Sequence, residues 1–275
     1  MSIMQNLTPK DYANEWATQS QYFHAQKYYS WMASLLEQNS NIVEIGSGCG
    51  LGTLALITAG HKVICVESNI DCVNATIKTL TSNSIKAKLV SSISEAVNSF
   101  SNNETPIINI DVLKLKDGEW QILVGQAKLN TIVCWLFGTY PDDWVNHGFD
   151  KPSELREIIE STLSNILTRI FPPKSMLNIV NRVGFDENVN VAEKQGEILG
   201  GKQFYFLAFT PILEGIAVGT GSKDISKLDK VKPHFASSFI KKDECIDSID
   251  DTLTLSNSRV TIKNLLSRFI RHLKT

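Results

Sequence analysis

The residues of this 275-residue chain best suited to chemistry are closely spaced glycines and an acidic residue that follows one helix length later. The glycines occupy positions 46, 48, 50 and 52, between apolar segments at 41–45 and 53–57. A glycine adopts a positive φ without strain and lets backbone N–H groups approach a ligand closely. A helix that begins beyond such a turn adds unpaired N–H groups and a positive dipole end. The pattern therefore predicts a strand, a ligand-binding turn and a helix.

The acidic residue is Glu67, and it ends the apolar segment 61–66, which is predicted as the second strand. In a βαβ unit, an acid at the tip of the second strand binds the ribose hydroxyls of a nucleotide. The turn, the helix and Glu67 occur together at the spacing that such a unit requires. The sequence therefore predicts a nucleoside-containing cofactor. The alternative is a glycine turn that serves only the fold.

The glycine spacing distinguishes between classes of cofactor. The dinucleotide fingerprint requires glycine or alanine at the last position of G-x-G-x-x-G/A. That position is Leu51 when the frame starts at Gly46, and Thr53 when it starts at Gly48. Neither frame fits, so the spacing disfavours an NAD-dependent oxidoreductase.

The actual spacing is Glu44-x-Gly46-x-Gly48-x-Gly50, and it resembles the motif of the class I S-adenosylmethionine-dependent methyltransferases. The resemblance implies that Glu44 acts at the methionine end, that the glycines surround the cofactor and that Glu67 accepts both ribose hydroxyls. S-adenosylmethionine carries an ammonium and a sulfonium but no pyrophosphate, so carboxylates near the turn suit its charge. The cofactor-binding set implied by the resemblance is Glu44, Gly46, Ser47, Gly48, Gly50, Glu67, Ser68, Asp111, Val112 and Trp135.

The acid expected near the adenine amino group has two possible positions. Segment 106–113 is predicted as a buried strand that ends in an acid, which makes Asp111 the candidate. Segment 87–91 could instead be the third strand, followed by an extra helix. In that case Ser91 or Ser92 would lie nearer the adenine, and Asp111 would be an ordinary turn residue.

The resemblance also implies the fold class and the organisation of the chain. The fold is predicted to be α/β, with a Rossmann-like, mostly parallel, doubly wound sheet whose last strand is antiparallel. Residues 1–40 are predicted to form an N-terminal helical lid, in which Tyr22 or His24 could line the cofactor. Residues 41–220 form the cofactor-binding domain, and residues 221–275 form a C-terminal extension. Within the lid, Tyr28 and Met32 recur at helical spacing and are predicted to pack on the sheet.

The segment after the predicted fourth strand, 131–138, is rich in turn residues and carries the candidates for the substrate side. Loops on a rigid scaffold often hold functional residues. The catalytic candidates are His147, as a general base, and Tyr140. Asp142 and Asp143 are further candidates. The alternative for His147 is a solvated loop position.

The remaining elements follow from periodicity. Ser153 is predicted to cap a helix that ends at Pro172, and segments 176–181 and 204–209 are predicted strands. In the extension, 260–273 is a basic amphipathic stretch. Such a stretch could contact a membrane surface or nucleic acid, or pack on its own domain or a second subunit.

Composition limits the partners. The net charge of −2 does not favour a polyanionic partner, so no nucleic acid is expected. The five cysteines lack metal-ligand spacing, and no metal is predicted. No secretory signal and no membrane span are evident, so a cytoplasmic protein is expected.

Motif comparison suggests the kind of acceptor. Residues 137–141 read Phe-Gly-Thr-Tyr-Pro, where enzymes that methylate exocyclic base amines carry Asn/Asp-Pro-Pro-aromatic, and no cysteine follows a proline. A small-molecule acceptor is therefore predicted by elimination. A non-catalytic protein with the methyltransferase fold is the alternative.

Overall fold

A computed structural model describes residues 8–138, 145–149, 152–183, 204–209 and 234–242. Helices and strands alternate along most of this length, as the sequence predicts. The helices are α1 Pro9–Ala25, α2 Tyr28–Ser34, α3 Leu51–Thr58, α4 Ile70–Ser82, α5 Ile93–Ser101, α6 Asp117–Ala127 and α7 Pro152–Ile170. The strands are β1 Asn41–Ile45, β2 Lys62–Glu67, β3 Ala87–Val90, β4 Thr105–Asn109, β5 Thr131–Trp135, β6 Met176–Val183, β7 Phe204–Phe209 and β8 His234–Lys241.

The strands form one sheet in the order β3-β4-β2-β1-β5-β6-β8-β7. Neighbours among β1 to β6 pair in parallel, whereas β8 is antiparallel to β6 and to β7. The predicted Rossmann-like α/β class with a mostly parallel sheet is confirmed. The chain leaves β1 on one side towards β2 and later returns on its other side as β5. Ligands of open α/β sheets bind at such a switch point, beyond the carboxyl ends of the strands.

Helices cover both faces of the sheet, which explains why its central strands are continuous apolar runs. On one face, α1 to α4 pack through a cluster that includes Phe23, Met32 and Leu56. On the other face, α5 to α7 pack through a cluster that includes Trp120 and Phe171. Tyr28 and Met32 are buried, as their spacing predicts.

Two sequence predictions need correction at element boundaries. Segment 106–113 is not a single strand, because β4 ends at Asn109 and a 3-10 turn follows at Val112–Lys114. The side chain of Asp111 caps that turn, with Oδ1 accepting the Leu113 N–H at 3.0 Å. Ser153 is not the helix cap, because α7 already begins at Pro152. Proline fits the first helical turn, where its missing N–H would have no partner.

The C-terminal region also differs from expectation. Residues 221–275 are predicted to lie outside the sheet, whereas His234–Lys241 forms β8 between β6 and β7. The serines and lysines in and around this segment obscure the strand pattern in the sequence. The strand is stabilised by backbone hydrogen bonds to β6 on one side and to β7 on the other. The amphipathic stretch 260–273 lies outside the described residues.

Searches of the described residues give two further findings. None of their helices has the length and apolar character needed to cross a membrane. They hold no cluster of three or more His, Cys, Asp or Glu side chains suited to a metal ion. The four cysteines in this part of the chain, Cys49, Cys65, Cys72 and Cys134, are free thiols and buried.

Candidate functional site

The glycine run forms the turn between β1 and α3, and three of its glycines have left-handed backbone. The φ values are +77° at Gly46, +56° at Gly48 and +81° at Gly50. A residue with a Cβ would lose roughly 1–2 kcal/mol at each position. The Gly46 N–H donates to the Val66 carbonyl at 2.8 Å, which ties the turn to the end of β2. The predicted glycine turn is therefore present.

Helix α4 fixes the carbonyl side of this turn. The Thr76 hydroxyl donates to the Gly48 carbonyl at 2.9 Å, and the Thr79 hydroxyl donates to the Cys49 carbonyl at 2.7 Å. Ser47 Oγ lies 3.2 Å from Thr76 Oγ1. Helix α4 therefore pairs with the carbonyl groups of the turn, and the Gly48 N–H has a different partner.

The partner of the Gly48 N–H is the carboxylate of Glu67. Its Oε2 accepts the Gly48 N–H at 2.9 Å, and its Oε1 accepts the Asn69 N–H at 2.9 Å. Glu67 is 8% exposed, so the carboxylate is held at the edge of the protein interior. A carboxylate has about four acceptor sites and can accept several donors at once. The structure thus brings Glu67 to the glycine turn.

A narrow cleft opens beside Glu67, with a cavity volume of about 40 Å³. Six residues of the predicted cofactor-binding set line this cleft. They are Gly46, Gly48, Glu67, Ser68, Asp111 and Val112.

Glu44 belongs to the predicted set but does not line the cleft. It is 3% exposed and lies beneath the turn, where its Oε2 accepts the Thr53 hydroxyl at 2.5 Å and the Cys65 thiol at 3.6 Å. Burial raises the pKa of Glu44 to about 7, against the lowering effect of these hydrogen bonds. The structure places Glu44 beneath the glycine turn and outside the cleft lining, and its predicted action at the methionine end stays a prediction.

Three further residues of the predicted set face other parts of the fold. Ser47 and Gly50 contact α4, and a Cβ on Gly50 would come within 2.9 Å of Thr76 Cα. The Trp135 indole N–H donates to Asn178 Oδ1 at 2.6 Å inside the core. These residues shape the turn and the sheet beneath the cleft, which their position in the motif alone does not reveal.

Helix α1 covers the cleft, through residues that the sequence prediction missed. Tyr12 and Trp16 line it, whereas Tyr22 and His24 do not. A Cβ on Gly48 would overlap Trp16 Nε1, and the Asn69 side-chain amide donates to the Pro9 carbonyl at 2.9 Å. Tyr12, Trp16 and the buried residues Ser20 and Phe23 follow one another at intervals of four, four and three residues, and this helical stripe was the available signal.

The end of β5 forms the mouth of the cleft through Leu136, Phe137 and Gly138, which the prediction did not include as site residues. Arg156 Nη2 donates to the Phe137 carbonyl at 3.0 Å and fixes this end. A Cβ on Gly46 would come within 3.0 Å of the Phe137 ring. The predicted positions Tyr140, Asp142 and Asp143 lie outside the described residues.

The two possible third strands are distinguished by pairing. Strand β4 pairs with β2, and β3 is the edge strand beyond it. Ser92 caps α5 through Glu95 N–H, and Ser91 bonds the Glu95 side chain. Asp111, which follows β4, is the residue that reaches the cleft.

His147 contacts Asp111 instead of facing the mouth. Its Nε2 lies 2.8 Å from Asp111 Oδ2. His147 lines a neighbouring cavity of about 350 Å³, and it is absent from the cleft lining. The general-base role of His147 stays a prediction.

The groups around the cleft fit S-adenosylmethionine. Glycines at 46 and 48 pack closely against the rings of Phe137 and Trp16, and two carboxylates, Glu67 and Asp111, supply acceptors. Apolar walls come from α1 and from the end of β5. Backbone N–H groups arranged for a pyrophosphate are not required by this ligand, and the Gly48 N–H is already paired with Glu67.

No protein-family model matches this chain, and no curated protein matches it either. Solved structures that it resembles include the N-methyltransferase NodS from Bradyrhizobium japonicum WM9 in complex with S-adenosyl-L-homocysteine, at 11% identity, TM-score 0.43, and coverage of 82% of this chain and 87% of that one. Precorrin-6y C5,15-methyltransferase from Geobacter metallireducens GS-15 has 10% identity, TM-score 0.43 and coverages of 78% and 89%. TYW2 of M. jannaschii in complex with AdoMet has 13% identity, TM-score 0.43 and coverages of 78% and 75%. At these identities and TM-scores, the similar structures do not assign a function to this chain.

Proposed function

We propose that this protein is an S-adenosylmethionine-dependent methyltransferase whose cofactor lies in the cleft beside the glycine turn. The observation that carries the proposal is the Glu67 carboxylate, which is held at the turn by the Gly48 N–H at 2.9 Å and lines the same cleft. In a βαβ unit, a carboxylate at this position is suited to accept the ribose hydroxyls of a nucleoside, which supports the proposal.

Each wall of the cleft has a separate role in this proposal. Glu67 accepts the ribose hydroxyls, and Asp111 accepts from the exocyclic amine of adenine. Gly46 and Gly48 line the cleft, and the rings of Phe137 and Trp16 pack directly against them. Tyr12 and Trp16 form the outer wall and exclude water from the bound nucleoside.

The cofactor, when bound, supplies a methyl group already activated by its sulfonium. The protein then mainly provides proximity and alignment between that methyl group and the acceptor atom. Among the described residues that line the cleft, the titratable side chains are Tyr12, Glu67, Cys72 and Asp111. Leu136 to Gly138 at the mouth orient the acceptor.

We further propose a small-molecule acceptor. The mouth sequence Phe137-Gly138 stands where base-amine methyltransferases carry a polar residue followed by prolines. The net charge of −2 gives no general attraction for a nucleic acid backbone. Both observations favour a compact acceptor that enters the mouth beside β5.

The experiment is transfer of a radiolabelled methyl group from S-adenosylmethionine to separate panels of small amines, hydroxyl compounds and thiols, with total RNA as a further arm. We expect label in a small-molecule panel, and we expect Glu67→Ala to abolish it. His24→Ala is the matched control, because His24 is exposed and away from the cleft. S-adenosylhomocysteine binding without transfer to any panel would instead favour a non-catalytic binding protein.

A further inference from the structure

We propose that His147 is a positioning residue that holds the Asp111 carboxylate in place from outside the cleft, and thereby sets selectivity for adenine. This inference rests on the proposed function, because it assigns Asp111 to the adenine end of the cofactor. It replaces the general-base role that the sequence predicts for His147.

The two cavities that meet at Asp111 are the first observation. Asp111 lines both the cofactor cleft and the neighbouring cavity, whereas His147 lines only the neighbouring one. The side chains are partly shielded, with 18% of Asp111 and 27% of His147 exposed. His147 therefore contacts the carboxylate from the side that faces away from the cofactor.

The hydrogen bonds of the carboxylate are the second observation. Oδ2 lies 2.8 Å from His147 Nε2, and Oδ1 accepts the Leu113 N–H at 3.0 Å. An ionised carboxylate only accepts, so Nε2 carries the proton and donates. With one donor on each oxygen, rotation of the carboxylate is restricted, and its remaining lone pairs are available to the cleft.

The support of the histidine itself is the third observation. The His147 ring stacks on Phe149, with ring centroids 6.4 Å apart and planes at 28°. His147 lies in the segment after β5, while Asp111 follows β4, so their bond joins two loops at the carboxyl edge of the sheet. The His147 ring therefore contacts Phe149 on its face and the Asp111 carboxylate through Nε2.

A fixed carboxylate discriminates between purine bases. The exocyclic amine of adenine donates to it, whereas hypoxanthine presents a carbonyl oxygen at the same position. Two facing acceptors cannot form a hydrogen bond, and the polar groups that remain unpaired weaken binding. A carboxylate free to rotate could turn away from the carbonyl, so loss of the His147 donor should reduce the discrimination.

The test compares the dissociation constants of S-adenosylhomocysteine and its hypoxanthine analogue by calorimetry. We expect the intact protein to prefer the adenine compound by about 100-fold, and His147→Ala to reduce that ratio by about tenfold. His147→Phe should behave like His147→Ala, because it keeps a ring against Phe149 but lacks the donor. His147→Gln, which can donate an amide N–H, should restore the ratio. His24→Ala is the matched histidine control and should change neither constant.

Several results would overturn the proposal. An unchanged ratio in both His147→Ala and His147→Phe would exclude a positioning role, and equal weakening of both ligands would indicate a merely structural one. Unchanged binding with lost methyl transfer would return His147 to general-base catalysis. Failure of the intact protein to bind S-adenosylhomocysteine would refute the proposed function itself, which is a separate outcome. If His147→Ala does not fold, the comparison of His147→Phe with His147→Gln decides alone.

Discussion

Glu44 and Glu67 lie near the carboxyl ends of neighbouring parallel strands, yet their surroundings differ. In the register of β1 and β2, Glu44 is level with Cys65 and Ile45 is level with Val66. Glu67 is therefore two residues further along, level with the glycine turn. Two residues correspond to about 6–7 Å along a strand. This offset places Glu44 within the sheet and Glu67 at the carboxyl end of its strand.

The offset decides the chemistry available to each carboxylate. Glu44 contacts Thr53 and Cys65 in the interior, and burial raises its pKa to about 7. Glu67 accepts backbone N–H groups from the turn and lines the cleft. The same residue type therefore lies beneath the turn in one position and lines the cleft in the other. The following three predictions test this division, from the largest expected effect to the smallest.

The first prediction concerns the turn that separates the two carboxylates. Gly48→Val should abolish measurable binding of S-adenosylhomocysteine, because its side chain would overlap Trp16 and occupy the cleft. The positive φ of +56° adds a destabilisation of roughly 1–2 kcal/mol, which leaves the protein folded. Calorimetry and thermal unfolding measure the two effects. Gly118→Val is the matched control, since a Cβ on Gly118 meets nothing within 4 Å. Wild-type affinity in Gly48→Val would contradict the site.

The second prediction removes the carboxylate at the edge of the sheet. Glu67→Ala should weaken S-adenosylhomocysteine binding by about 100-fold, because charge-assisted hydrogen bonds to the ribose are each worth about 1.5–3 kcal/mol. The fold should remain, and this is checked by circular dichroism and thermal unfolding. Glu44→Gln, the matched change on the neighbouring strand, should alter the affinity by less than about threefold. A larger loss in Glu44→Gln than in Glu67→Ala would reverse the assignment.

The third prediction concerns the pH dependence that Glu44 gives to stability. Its pKa is about 7 in the folded protein and near 4.5 when unfolded, so between these values the folded state binds more protons. The free energy of unfolding therefore falls as the pH rises from about 4.5 to 7, by on the order of 3 kcal/mol. Glu44→Gln should remove this slope, measured by urea unfolding at pH 5 and pH 8. An identical slope in the variant would show that Glu44 is not the group responsible.

Local patterns were sufficient to predict the βαβ unit. The spacing of Gly46, Gly48 and Glu67 predicted the turn and the acidic residue beside it, and the apolar runs predicted strands β1 and β2. These features depend on neighbouring residues in sequence, and the structure reproduces them. The mostly parallel sheet was predicted from the resemblance to the methyltransferase family.

Long-range pairing could not be obtained in the same way. The burial of Glu44 depends on the register of β1 against β2, which the motif does not encode. The contact of His147 with Asp111 joins residues 36 positions apart, and β8 is stable only because β6 and β7 flank it. The positions of Tyr12 and Trp16 over the cleft likewise depend on how α1 packs. Sequence periodicity indicates which face is buried but not what it covers.

The central claim is that Glu67 and the glycine turn bind the nucleoside of S-adenosylmethionine. The most direct test is calorimetric titration of the purified protein with S-adenosylhomocysteine, with NADH titrated in parallel. We expect micromolar binding of S-adenosylhomocysteine and no binding of NADH. Binding of NADH alone would contradict the claim and restore the oxidoreductase alternative, and binding of neither ligand would contradict the assignment of the cleft.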